Sequence, residues 1–382
     1  MKVQAVFLLA ILFGVANGYT YPTWYQCDPA ICKVPNCRCA STNPPVPLEE
    51  APQFVVISND DGVNKQIAAL MDEMIGEYKQ SNSCPIPVTW FTLVQGSECF
   101  VAQNRYERGD ELATHTSTHA ELSKNATEAL LQKEIMAGKE FLTRGCLLPA
   151  ADIVGFRSPY LVTNPVTREF LLKNNFLYDS SNTHEWGFDV PPGSARSYPF
   201  SMDYGVADAT CTPNEDFQVC YENETYPGLW NVPVWELVYD GQSYGMDPGA
   251  NSAGNGEVRP ADAVLTTAFD AAYNGNRAPV PVFVHLSWFN GTRSAETKKF
   301  IEYALSKPDT YFVTMRQLIE YMKAPVPKSL MPQWLANRCV GKKLGPQPPP
   351  APLPPVEPLT FLANSTTKTK GAIIGRRLRS GM

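Results

Sequence analysis

Residues 54–78 read FVVISNDDGVNKQIAALMDEMIGEY: an apolar, β-branched run, two adjacent aspartates, a turn, and then an amphipathic stretch. In the second half Ile67, Leu70, Met71, Met74 and Ile75 recur at helical spacing, whereas Phe54–Ser58 is the length of a buried strand. A strand that runs into a polar turn and then a helix is the repeating unit of a parallel α/β fold. Working outward, Val88–Val94 is β-branched and aromatic, Ala126–Leu142 is helical in pattern, and Val154–Phe156 is strand-like. Pro165–Lys173 starts with proline at a favourable helix position. Ala261–Tyr273 is helical, Val280–His285 is a buried strand, and Ala295–Ser306 is again helical. Tyr311–Thr314 and Arg316–Met322 repeat the alternation. So many strand–helix units predict a parallel sheet closed into an α/β barrel, with chemistry at the C-terminal ends of the strands.

The chain of 382 residues is long enough for one such barrel with appendages. A formal charge of −6 gives no footprint for nucleic acid. Lys2 followed by an apolar run from Ala5 to Ala16, with Ala16 and Gly18 before the expected cut, reads as a secretory signal peptide over residues 1–18. That run is too short for a comfortable membrane span, and no transmembrane segment is expected elsewhere. Acceptor sequons at Asn125, Asn223, Asn290 and Asn364 accord with export. So do the 10 cysteines, an even count at home in an oxidising compartment. Cys27, Cys32, Cys37 and Cys39 mark a disulfide-pinned arm over residues 19–49. Cys211 and Cys220 flank a polar loop and are expected to pair. Cys339 is a candidate to tie the end of the catalytic region, residues 50–344, back to its beginning. Residues 345–382 form a proline-rich linker and a basic tail.

The chemistry-bearing residues follow the predicted strands. Asp60 and Asp61 are adjacent carboxylates, and burying both needs a compensating cation. His115-Thr-Ser-Thr-His119 holds two of the chain's 4 histidines and can turn two imidazoles toward one metal. An Asp with two His makes a three-ligand site that keeps one position open, leaving the other Asp free as a base. Arg157-Ser-Pro-Tyr160 follows the next strand and supplies a guanidinium to keep a carboxylate ionised. His285 ends a buried strand, a place suited to an acid. His184 reads as a loop residue. Trp186, Trp235 and Trp288 fall near these segments as core filler or as stacking platforms for sugar rings.

In order, Asp60-Asp61, His115-x-x-x-His119, Arg157-x-Pro-Tyr160, Asp179…Trp186 and Phe283-Val-His285 resemble the five motifs of the polysaccharide deacetylases, the NodB-type domain of carbohydrate esterase family 4. The flanking segments Cys27-Asp-Pro…Cys37-Arg-Cys39, Tyr226-Pro-Gly-Leu-Trp230 and Asn276-Arg-Ala-Pro279 are similar to animal-type chitin deacetylases. The resemblance covers about residues 27–339 and implies a distorted (β/α) barrel of seven or eight units. It implies that Asp61, His115 and His119 bind a divalent metal, zinc first, with cobalt or another divalent ion as alternatives. Asp60 is then the base toward the attacking water, and Arg157 orients it. The Tyr160 backbone N–H helps hold the oxyanion, and His285 protonates the departing amine. Either Asp179 or Glu185 would support His285, with Asp179 preferred. Ser58-Asn59 stand where the family usually has Thr-Phe.

The implied activity is secreted, metal-dependent removal of N-acetyl groups from the GlcNAc units of chitin or chito-oligosaccharides. Deacetylation of peptidoglycan, acetylxylan esterase activity and a non-catalytic chitin-binding matrix role are the alternatives on the same scaffold. The tail carries five Lys/Arg against Glu357 alone. It is read as a solvated end or as a tether to an anionic extracellular surface. Nothing in the sequence addresses oligomeric state.

Overall fold

In the computed structural model, which describes residues 21–184, 196–208, 211–250, 258–339 and 341–344, strand β1 (Gln53–Gly62) separates two cores. Val55 and Ile57 pack with the surrounding helices, while Phe54 and Val56 pack with Phe91, Phe283 and Trp235. This is the period-two alternation of a strand covered on both faces. The expected signal segment, Glu185, Trp186 and the basic tail lie outside the described residues.

The strands after β1 are β2 (Thr89–Leu93), β3 (Glu111–Thr114), β4 (Gly155–Phe156), β5 (Tyr178–Asp179), β6 (Thr183–His184) and β7 (Phe200–Ser201). They continue as β8 (Trp230–Asn231), β9 (Val234–Trp235), β10 (Leu237–Tyr239), β11 (Gln242–Tyr244), β12 (Val280–Val284) and β13 (Thr310–Phe312). Among the described residues the principal sheet has nine strands, in the order β12-β1-β2-β3-β4-β5-β8-β7, with β13 also on β1. Every pairing in it is parallel except β7 with β8. Register brings Ser58 opposite both Thr89 and Phe283, Thr114 opposite Phe156, and Phe156 opposite Asp179. The C-terminal ends of β1, β3, β4, β5 and β12 therefore rise to one mouth.

Helices Lys65–Ile75, Ala261–Asn274 and Arg293–Leu305 cover the outer face through Ile67, Met71, Leu265, Phe269 and Phe300. The ladder does not close: β12 and β7 end it, and the separate parallel pair β6–β9 lies in the gap with β9 beside β12. The fold is a distorted (β/α) barrel, as expected. Its distortion is local, because from β5 to β11 short strands follow one another with no α-helix between them among the described residues. His184 departs from its loop assignment: it belongs to β6 and is buried. Burial and the nearby Arg196 charge lower its pKa to about 3, so it is a neutral core histidine. The helical stretch expected over 126–142 runs through residues 128–145 and contains π-helical turns at Gln132–Met136 and Phe141–Gly145.

All ten cysteines are paired. Cys27–Cys39 and Cys32–Cys37 nest in the N-terminal arm, which Ser201, Tyr198 and Asn276 hydrogen-bond to the barrel. Cys211–Cys220 closes its loop as expected. Cys339 does tie the end back, to Cys84 ahead of β2, and Cys99–Cys146 joins two outer helical segments. The Cys84–Cys339 bridge spans 255 positions, and a long closed loop constrains the unfolded chain strongly.

Gly155 in β4 packs directly against Tyr178 of the neighbouring strand. A Cβ there would lie 2.2 Å from the ring of Tyr178, a buried side chain whose hydroxyl donates to Glu111 at 2.8 Å. Gly155→Ala is expected to destabilise the fold by about 1–3 kcal/mol through overpacking. The readout is a lower guanidinium midpoint at unchanged slope; an unchanged midpoint would mean that Tyr178 yields at no cost.

Candidate active site

Strand alternation puts Ser58 and Asp60 on the same inward face as Phe54 and Val56. There the Arg157 guanidinium meets them: its Nη1 donates to Asp60 Oδ1 at 2.8 Å and to Ser58 Oγ at 3.0 Å. Its Nε and Nη2 donate to the carbonyl and hydroxyl oxygens of Ser180 at 2.8 and 2.9 Å. The rings of Phe91 and Phe283 flank the guanidinium at 4.2 and 4.4 Å. Arg157 is wholly buried and Asp60 nearly so, an arrangement tolerated because charge and donors are both matched. Ser58, which departs from the family's usual residue, is thus one of the acceptors holding the arginine.

Asp61 ends the alternation with φ 81°, a left-handed conformation that turns its carboxylate toward the loop after β3. That loop carries His115 and His119. It is not a helix: Thr116 and His119 have φ of 72° and 63°, so a turn, rather than a helical face, brings the two rings together. His115 Nδ1 donates to the Arg157 carbonyl at 2.8 Å, which leaves Nε2 with its lone pair. Asp61 Oδ1 stands 3.7 Å from His115 Nε2 and 3.4 Å from His119 Nε2. Burial lowers the pKa of both imidazoles, against the opposing pull of the neighbouring aspartates.

These residues fit a divalent metal. Asp61 Oδ1 is buried and accepts no hydrogen bond among the described residues, and the two neutral imidazoles and one carboxylate have their donor atoms within 4.8 Å of one another. An oxygen and two imidazole nitrogens with a position left open is a donor set suited to zinc chemistry. A second cluster, Cys27, Cys32 and Cys39, has its sulfurs committed to disulfides.

His285 follows β12 at the same mouth. Its partner is Asp247, not Asp179: Asp247 Oδ2 meets His285 Nδ1 at 2.9 Å, and Oδ1 accepts the His285 backbone N–H at 2.9 Å. Burial opposes a charge on this ring, but the Asp247 hydrogen bond and the negative charges of Asp247, Asp60 and Asp61 outweigh it, pushing the pKa up to about 9. Asp179 instead accepts from Ser181 Oγ at 2.5 Å and Thr163 Oγ1 at 3.4 Å, and Ser181 Oγ accepts the Ser158 N–H. It braces the Arg157–Tyr160 loop; burial, partly offset by those hydroxyls, raises its pKa to about 6. Asp247 was missed because it lies 38 positions before His285 in an irregular Asp-Pro-Gly loop with no periodic signal.

The tryptophan platforms are also corrected. Trp235 is fully buried in β9 with its indole N–H on the Ser197 carbonyl, and Trp288 is buried with its N–H on Pro248. Both are core residues, because each ring is enclosed and each polar edge is spent on the backbone. Tyr160 is an aromatic that reaches the mouth: 61% exposed, at φ 57°, its ring edge-on to His119 at 4.7 Å.

No family model matches the chain. It is 27% identical over 342 residues to chitin deacetylase 8 of Bombyx mori, covering 86% of each chain. It is 26% identical over 332 residues to chitin deacetylase 1 of Bombyx mori, covering 78% of this chain and 57% of that one. Among solved structures, the catalytic domain of peptidoglycan N-acetylglucosamine deacetylase from Eubacterium rectale overlaps 75% of this chain and 94% of its own at a TM-score of 0.39 and 12% identity. The chain is thus similar to chitin deacetylases of Bombyx mori, and its five ordered motifs resemble those of the NodB type.

Proposed function

We propose that the protein is a secreted, divalent-metal-dependent hydrolase that removes N-acetyl groups from GlcNAc units of chitin or chito-oligosaccharides. One observation carries the reading. The Asp61–His115–His119 triad, the Asp60–Arg157 pair and the His285–Asp247 pair all stand at the C-terminal mouth of one parallel sheet. The names of the Bombyx mori relatives point to chitin among acetylated polysaccharides, and a fully disulfide-bonded chain accords with export.

A divalent cation held by Asp61, His115 and His119 would acidify water and polarise the acetamide carbonyl. The rest is the work of the chain. Asp60, with Oδ1 fixed by Arg157, takes the proton of the attacking water as its oxygen adds to the acetyl carbon. The Tyr160 backbone N–H faces the developing oxyanion. His285, kept cationic by Asp247, gives its proton to the nitrogen as the C–N bond breaks, leaving acetate and a free amine. Asp247 acts through His285 and is a positioning residue. Tyr160, exposed at the rim, is the ring that meets the sugar.

Acetate release from chito-oligomers, acetylated xylan and peptidoglycan fragments tests the substrate class. Chito-oligomers are expected to be turned over, and a chelator to abolish it. No acetate from any of the three would favour a matrix-binding role. Asp60→Asn is expected to keep the metal while losing roughly 10²–10⁴-fold in rate, and His119→Ala to lose metal and turnover together, by elemental analysis. Equal metal loss in both variants would overturn this division of labour.

The proton on His285 gives a separate check. In the metal-free protein its ring is expected to titrate near 9 by NMR, with the donor form present below that pH and lost above it. Asp247→Asn removes the main stabilising charge and should bring the titration down by at least a unit. A ring that titrates near 6.5 in both proteins would remove Asp247 from this role.

A further inference from the structure

The loop between the two histidines is strained and irregular, yet it is held on both sides. From one side the backbone N–H groups of Val94 and Gln95, beyond β2, donate to the carbonyls of Thr116 and Ser117 at 3.3 and 3.1 Å. Within the loop the His119 N–H donates to Thr116 Oγ1 at 3.1 Å. From the other side comes Glu134, 2% exposed, in the π-helical turn Gln132–Met136. Its Oε2 accepts the backbone N–H of Ser117 at 3.2 Å and of Thr118 at 2.9 Å, and its Oε1 accepts the Thr118 hydroxyl at 2.9 Å. No basic side chain pairs with it among the described residues; its hydrogen-bond partners are all groups of this one turn. A buried carboxylate without a cation is costly unless its oxygens are filled by donors, and here three donors fill them. Thr116 and His119 adopt positive φ, which side-chain-bearing residues hold only when their surroundings over-determine it.

We propose that Glu134 is a positioning residue for metal binding. It clamps the Ser117–Thr118 turn so that His115 and His119 are already converged on Asp61 before a cation arrives. The inference rests on the metal-site reading above, and it concerns how the ligands are organised rather than which they are. Close packing of the same helix supports it: Gly138, one turn on, sits against the Thr116 carbonyl, with room for a Cβ only at ordinary contact, 3.5 Å. The helix is therefore seated on the loop at two successive turns. A ligand pair that must be ordered on binding binds more weakly than one ordered in advance.

The test measures zinc dissociation constants of the purified full chain by chelator competition, and the visible absorption band of the cobalt-loaded protein, for Glu134→Ala, Glu134→Gln and Glu134→Asp. Glu134→Ala removes all three acceptors and is expected to weaken zinc by about 10–100-fold with an altered cobalt band. Glu134→Gln is expected to stay within a few-fold of the parent, because one amide oxygen can accept both N–H groups and the Thr118 hydroxyl can turn to accept from the amide. Glu134→Asp keeps the charge but is one methylene short and is expected to resemble the alanine variant. Near-UV circular dichroism of the apo proteins reports folding. Parental affinity and cobalt band in a folded alanine variant would overturn the proposal. So would rescue by Asp but not Gln, which would make the effect one of charge. If the alanine variant does not fold, the contrast between Gln and Asp decides alone. A parent protein that binds no zinc would overturn the metal reading itself, whereas a parent that binds and variants that match it would overturn only the role of Glu134.

Discussion

The Arg157 guanidinium is the point on which the interior of this protein turns. A fully buried arginine survives only if its charge is matched and each of its nitrogens finds an acceptor. Here Asp60, Ser58 and Ser180 meet them, between two phenylalanine rings. Those partners come from β1 and the end of β5, and the Arg157 carbonyl receives the His115 ring from the loop after β3. One side chain and its own carbonyl therefore cross-link three strand ends. Removing the charge would leave Asp60 buried without a cation.

Around that point the site divides into two charge pairs of opposite use. Asp60 is held by a cation, as the proposed base requires; His285 is held by an anion, as the proposed acid requires. The two aspartates at the end of β1 go separate ways for a backbone reason. Asp60 obeys the strand alternation and faces the arginine, whereas Asp61, at positive φ while still paired opposite Thr92, breaks the alternation and faces the histidines. Adjacent carboxylates that would repel on one face are thereby given different partners.

The frame that holds these ends in place is not a closed ladder. Its irregular sector, from β5 to the helix Ala261–Asn274, has no α-helix between its strands among the described residues and packs instead around the buried Trp230 and Trp235, the Cys211–Cys220 loop and the N-terminal arm strapped across β7. That sector also supplies Asp247. The irregular part of the barrel is therefore the part that delivers Asp247 to His285, while the regular part delivers the Asp61–His115–His119 triad and Asp60.

From residues alone, the parallel α/β architecture was legible because apolar runs and helical periodicity report burial locally. Pro165–Lys173 matches its predicted bounds, and Val280–His285 lies within one residue of the observed strand. The cluster of Asp60, Asp61, His115, His119, Arg157 and His285 was legible too, since polar and titratable residues directly after buried strands have few structural reasons to be there. Tertiary structure alone decided the pairings. Asp247 replaced Asp179 as the partner of His285, Trp235 and Trp288 turned out to be core, and Cys339 found Cys84. Glu134 acquired a place beside the histidine loop that no spacing announces. Each depends on which distant segments share a neighbourhood, and a one-dimensional pattern encodes the depth of a residue far better than the identity of what it touches.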